Sequence, residues 1–189
     1  MKTEKQYFDE AISLKSYMDK MKKHKENSIR IYDQFECPKD DEFIEILKKV
    51  RPEILVITED WCGDAMMNNP ILRKIAEAAN LDVRAVYRDG DTDLIDRHLT
   101  NGGRSIPMYL LLGSDGEVVS KWGPRAAQLQ EYVIGLRESL PAADAPEFKK
   151  KQQEFIDRIT AEYTSKPEHW LAVYEDIRKT LLPVLQTDF

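Results

Sequence analysis

The chain has 189 residues, a length that suits one domain with terminal additions. Its composition is 42% hydrophobic with 8 glycines and 9 prolines, which excludes collagen-like and low-complexity classes. An excess of 34 acidic over 28 basic residues gives a net charge of -6, which argues against nucleic acid and membrane surfaces as partners.

Along the chain, Tyr7 to Met21 places Phe8, Ala11, Ile12, Leu14, Met18 and Met21 on one stripe and predicts a single amphipathic helix. Its charged beginning, with no apolar core before a cleavage site, predicts a cytoplasmic location. The basic run Lys20 to Lys25 reads as a solvated helix end. Ser28 to Phe35 alternates at Ile29 and Ile31 and predicts a short strand or extended linker. A helix from Pro38 through Val50 follows, with Phe43, Ile44, Ile46, Leu47 and Val50 on its apolar face.

The middle alternates strand and helix. Ile54 to Thr58 predicts a buried parallel strand, Asp64 to Ala79 a helix, Leu81 to Tyr87 a second strand, and Asp91 to Leu99 a helix stopped by Asn101 and Gly102. Met108 to Leu112 and Glu117 to Trp122 flank the turn Gly113 to Gly116 and predict an edge hairpin, with a closing helix from Ala126 to Leu140. The fold class expected is therefore α/β, a central mixed sheet with helices on both faces. After the linker Pro141 to Pro146 come two amphipathic helices, Phe148 to Tyr163 and one after Pro167 carrying Trp170, Val173, Tyr174, Ile177 and Leu181. Their stripes are expected to dock on the host domain; a homodimer interface is the alternative use. The divisions read from this pattern are residues 1–49, 50–140 and 141–189.

The chemistry concentrates in Thr58 to Pro70. Cys62 falls between a parallel strand and a helix N-terminus, where unpaired amides and the helix dipole favour thiolate over thiol. Trp61-Cys62-Gly63-Asp64-Ala65 resembles the Trp-Cys-Gly-Pro-Cys site of the thioredoxin family, and Pro70 matches that family's helix-kinking proline. Gly103-Arg104-Ser105-Ile106-Pro107, running into Met108 to Leu112, resembles the loop whose proline is cis and faces the cysteine. Asp115 to Val118 resembles the hairpin turn, Trp122-Gly123 the groove glycine, and Gln128-Leu129 the start of the last helix. The resemblance covers residues 50 to 140 and leaves the terminal helices outside.

The resemblance implies a thioredoxin-like sandwich whose groove binds an extended peptide through main-chain hydrogen bonds. Trp61, Gly63, Asp64, Ile106, Pro107 and Gly123 would line this groove around the catalytic Cys62. It also implies a protein or low-molecular-weight thiol or disulfide as substrate. The sequence departs from the family at Ala65, which replaces the second cysteine, and at Val56, which stands where the family carries a buried acid six residues before the nucleophile. In addition, Glu59, Asp60 and Asp64 would surround Cys62 with negative charge and make it less acidic. Asp64 has a second reading as a helix N-cap.

Cys37 is the candidate resolving cysteine. If Ile29 to Phe35 is a strand, Cys37 emerges at the same sheet end as Cys62 but about two strands away, on the order of 10 Å. A disulfide needs Cα atoms within about 7 Å, so a loop would have to move. Two cysteines and three scattered histidines make no four-ligand zinc site, Asp89 to Asp93 lacks the glycine and glutamate of a calcium loop, and no Gly-rich phosphate loop follows a strand. No metal and no cofactor are expected. The sequence thus supports a monothiol redox protein acting through Cys62, with a redox-inactive binding or adaptor protein using the same groove as the alternative.

Overall fold

The computed structural model describes residues 1–189. The N-terminal segment that reads as one helix is two. Thr3 caps α1 (Glu4–Glu10) through a capping box with Gln6, and the chain then extends at Ala11. β1 (Ile12–Ser13) follows, and the Ser13 side chain accepts from the Ser16 amide to start α2 (Leu14–Lys20). The apolar spacing runs through both helices, so periodicity alone could not reveal the two-residue strand between them.

Ser28 to Phe35 is helical rather than extended. α3 (Lys25–Gln34) starts after His24 in the left-handed region, and Ser28, Ile31 and Phe35 are buried at spacings of three and four. The alternation at Ile29 and Ile31 was half of a helical stripe. Asp40 accepts from the Phe43 amide at the start of α4 (Phe43–Val50), which ends at Arg51 in the left-handed region and so begins later than expected.

The remaining elements follow the predicted order. They are β2 (Glu53–Thr58), α5 (Gly63–Ala79), β3 (Val83–Tyr87), α6 (Thr92–Asp96), β4 (Met108–Leu112), β5 (Val118–Trp122), α7 (Ala127–Arg137), α8 (Phe148–Ser165) and α9 (Pro167–Thr187). α6 is shorter than its pattern implied; its N-cap is Asp91, whose side chain accepts from the Asp93 amide. The sheet order is β1-β3-β2-β4-β5, with β2 parallel to β3 and every other pairing antiparallel.

Alternation along the central strands divides the core. Ile54 and Val56 of β2, with Tyr109 and Leu111 of β4, join the larger cluster on one sheet face, and Leu55, Ile57, Met108, Leu110 and Leu112 join the smaller on the other. α5, α3, α4 and α9 contribute to the larger cluster, α1 and α6 to the smaller. The α9 stripe of Trp170, Val173, Tyr174, Ile177 and Leu181 is buried within the chain itself, and the Trp122 indole of β5 donates to Asp176 at 2.7 Å. This is the expected α/β sandwich, a mixed five-stranded sheet with helices on both faces. No helix is long and apolar enough to cross a membrane.

Candidate functional site

Cys62 is the N-cap of α5, at the point where β2 delivers the chain to the C-terminal end of the sheet. Its thiol donates to the Ile106 carbonyl at 3.4 Å, and the Ile106–Pro107 peptide bond is cis. Gly123 closes the other side with φ +133°; a Cβ there would lie 2.2 Å from the Pro107 carbonyl oxygen. Only glycine permits this approach. Trp61 is 43% exposed, and the Arg88 guanidinium lies over its ring, 5.0 Å from the ring centre, while Arg88 also donates to the Arg104 carbonyl. Gly63 has open space around its Cα, so nothing steric demands glycine there. The fold thus brings Trp61, Cys62, Gly63, Asp64, Ile106, Pro107 and Gly123 to one end of the sheet.

The three carboxylates near Cys62 have different employments. Asp60 accepts from the Lys22 and Lys23 amides at 2.8 and 3.1 Å, and Glu59 accepts from the Asp89 amide at 2.9 Å. Asp64 does not cap the helix; it forms a bidentate ion pair with Arg125 at 2.9 and 2.7 Å and accepts from the Tyr163 hydroxyl at 3.0 Å. Burial pushes the Cys62 thiol up to about 11, and Asp64 adds to that rise. The amides of Ala65 and Asp64, with Arg125, pull in the opposite direction but are outweighed. A partly buried sulfur loses more hydration than two amides return, so Cys62 is less acidic than the helix start alone would make it, with burial the larger cause and Asp64 the smaller.

Val56 is fully buried and pairs in register with Tyr109, whose hydroxyl donates to Asn69 at 2.8 Å. Asn69 in turn donates to Thr58 at 3.0 Å, and Thr58 shares a 3.2 Å hydrogen bond with Tyr17. This buried network is neutral, so it holds the end of β2 in place without an ionisable carboxyl.

Cys37 does not emerge beside Cys62. Its expected placement rested on a strand that is a helix: Ser28 at the start of α3 bonds to Met66 in the first turns of α5, while Cys37, beyond the end of α3, packs against the larger core cluster and Cys62 against the smaller. Burial pushes the Cys37 thiol up to about 11 as well. Both cysteines are free.

Arg125, Tyr163 and the Tyr109, Asn69 and Thr58 network escaped the sequence reading. Only Arg125 left a signal, as a cation two residues beyond the groove glycine; Tyr163 lies 99 residues from Asp64 in a helix outside the motif set. His98 bonds to Glu4, and His169 lies against the rings of Tyr132 and Tyr163. No group of three or more His, Cys, Asp or Glu side chains is arranged to hold a metal ion.

A family model described as thioredoxin matches residues 11–145. The match begins upstream of the motif-bearing segment, takes in β1 through α4, and stops before α8. Among solved structures, an HIV epitope scaffold aligns with a TM-score of 0.64 at 16% identity, covering 98% of each chain. A protein of unknown function from Pseudomonas aeruginosa aligns with a TM-score of 0.60 at 15% identity, covering 87% of this chain and 96% of that one. Both are likenesses of fold, and the first takes in α8 and α9. No curated protein matches the chain.

Proposed function

The chain belongs to the thioredoxin family, and from that premise we propose that Cys62 carries out single-thiol exchange with a protein or low-molecular-weight disulfide held in the groove beside Pro107. The observation that carries this reading is the hydrogen bond from the Cys62 thiol to the Ile106 carbonyl, which joins a thiol at the end of β2 to the backbone that would pair with an extended peptide.

In the resting fold the thiol is protonated and its proton is held by Ile106. A peptide amide that bonds to the Ile106 carbonyl displaces that donor and removes a stabiliser of the neutral thiol. Cys62 then gives its proton to water and attacks the substrate disulfide; the substrate S–S bond breaks, a bond from Cys62 to one substrate sulfur forms, and the other sulfur leaves as thiolate and takes up a proton from water. With Ala65 in place of a second cysteine, an external thiolate attacks the substrate sulfur of this mixed disulfide. Cys62 leaves as thiolate and regains a proton, and a new disulfide joins the substrate to the external thiol. No net oxidation is required.

The test is exchange between a disulfide-linked peptide and a small thiol in a Cys37→Ser chain. Trapped adduct on Cys62 by intact mass, and exchange faster than with the same concentration of free cysteine, are expected; Cys62→Ser abolishes both. A parent chain that neither forms the adduct nor accelerates exchange would leave the redox-inactive groove protein as the reading.

A further inference from the structure

Asp64 stands two residues from the Cys62 sulfur, on the same helix, with its side chain only 14% exposed. A carboxylate so placed would oppose any negative charge on the sulfur, in a setting where water screens little. The structure surrounds it with donors from two other elements. Arg125 Nε donates to Oδ1 and Nη2 to Oδ2, at 2.9 and 2.7 Å, and Tyr163 of α8 donates to Oδ1 at 3.0 Å. The guanidinium is as buried as its partner, and its Nη1 is engaged by Gln130 at 2.6 Å.

The backbone that presents Arg125 is itself fixed. Gly123 packs on the Pro107 carbonyl, and the next carbonyl, that of Pro124, accepts from the Asn68 side chain at 2.9 Å. Asn68 lies one turn along α5 from Asp64, so the Gly123 to Arg125 segment is tied both to the Pro107 loop and to the helix that carries Cys62. Tyr163 is anchored in turn, because its carbonyl accepts from the Trp170 indole at 2.7 Å. The ionisable groups coupled to the sulfur are Asp64 on its own helix, Arg125 from the β5–α7 connection, Tyr109 from β4 and Tyr163 from α8. Both tyrosines are raised by burial and remain neutral near pH 7, which leaves Asp64 and Arg125 as the charged members.

We infer that Arg125 is a positioning residue for Cys62, acting through Asp64: it pairs the carboxylate and holds it aside, so that the amides at the start of α5 meet the sulfur without an unpaired negative charge beside them. Its use in catalysis rests on the exchange reading above, whereas its effect on the sulfur does not. The pair also makes α8, through Tyr163, part of the site rather than an appendage.

The test is the rate of Cys62 alkylation by iodoacetamide as a function of pH in a Cys37→Ser chain. Arg125→Gln leaves Asp64 unpaired and moves the titration midpoint upward, and each unit of that movement slows alkylation at fixed lower pH about tenfold. Asp64→Asn, nearly the same shape, leaves the cation unopposed and speeds alkylation. The double variant returns close to the parent, and Arg125→Lys, which keeps the charge, stays nearer the parent than Arg125→Gln. Should Arg125→Gln fail to fold, Asp64→Asn decides alone. A folded Asp64→Asn chain with the parent's pH profile, or a double variant as slow as Arg125→Gln, would overturn the inference. Failure of peptide exchange in a parent chain whose variants still alkylate in this order would remove the exchange reading and leave the role of Arg125 standing.

Discussion

Cys37 packs against the larger of two core clusters and Cys62 against the smaller, and the central sheet lies between those clusters. With Cys37 beyond the end of α3 and Cys62 at the N-cap of α5, the two sulfurs pack among different core residues. The second cysteine of the chain is thus a partly buried packing residue, as small thiols commonly are.

Replacing Cys37 with Ser is expected to leave the alkylation and exchange behaviour of Cys62 unchanged. Mild oxidation of the parent chain should give no Cys37–Cys62 disulfide by peptide mass mapping. Detection of that crosslink in folded monomer would show that the loop after α3 travels much further than this arrangement allows.

Gly123→Ala should be among the most damaging single-methyl additions in the chain. The new Cβ would stand 2.2 Å from the Pro107 carbonyl oxygen, on a backbone with φ +133° that side chains rarely adopt. The segment would have to shift away from Pro107, at a cost of about 3 kcal/mol or more. Urea unfolding reads this directly. Gly63→Ala is the control, since its added Cβ meets nothing within 4 Å.

Acidification should weaken the fold before the carboxylates titrate. Burial lowers the affinity of His98 for a proton, against the opposing pull of Glu4, and burial with nearby Lys166 lowers that of His169. A histidine depressed in the fold binds protons more readily when unfolded, so its contribution is complete above the unfolded value of about 6.5 and is lost as pH falls below it. Thermal midpoints should therefore drop between about pH 7 and pH 5. Replacing both histidines with Gln should flatten that part of the profile. Glu4, Asp40 and Glu162, all held below the ordinary carboxylate range by ion pairs and hydrogen bonds that outweigh burial, extend the loss at lower pH.

Residues 50 to 140 were legible in the sequence because local features decide them. Ile54 to Thr58 is a short apolar run that only a buried strand accommodates, Cys62 follows it at a helix start, and the Gly113 to Gly116 turn sets the hairpin. The terminal region was harder to read because the deciding interactions are not periodic. Ser13 interrupts a continuous stripe by capping a new helix beside an edge pairing with β3, and Ile29 and Ile31 mimic alternation inside a helix whose buried face is Ser28, Ile31 and Phe35.

Residue type and a few neighbours were enough to put a cysteine at a helix start beside a strand end, a proline and a glycine. The charges around that sulfur, by contrast, follow from packing between distant parts of the chain. Asp64 is within two residues of Cys62, but the groups that neutralise and hold its carboxylate come from 61 and 99 residues away. Charge at short range acts through space rather than along the chain, so whether Asp64 opposes Cys62 as a lone anion or sits in a pair with Arg125 depended on where β5, α7 and α8 packed.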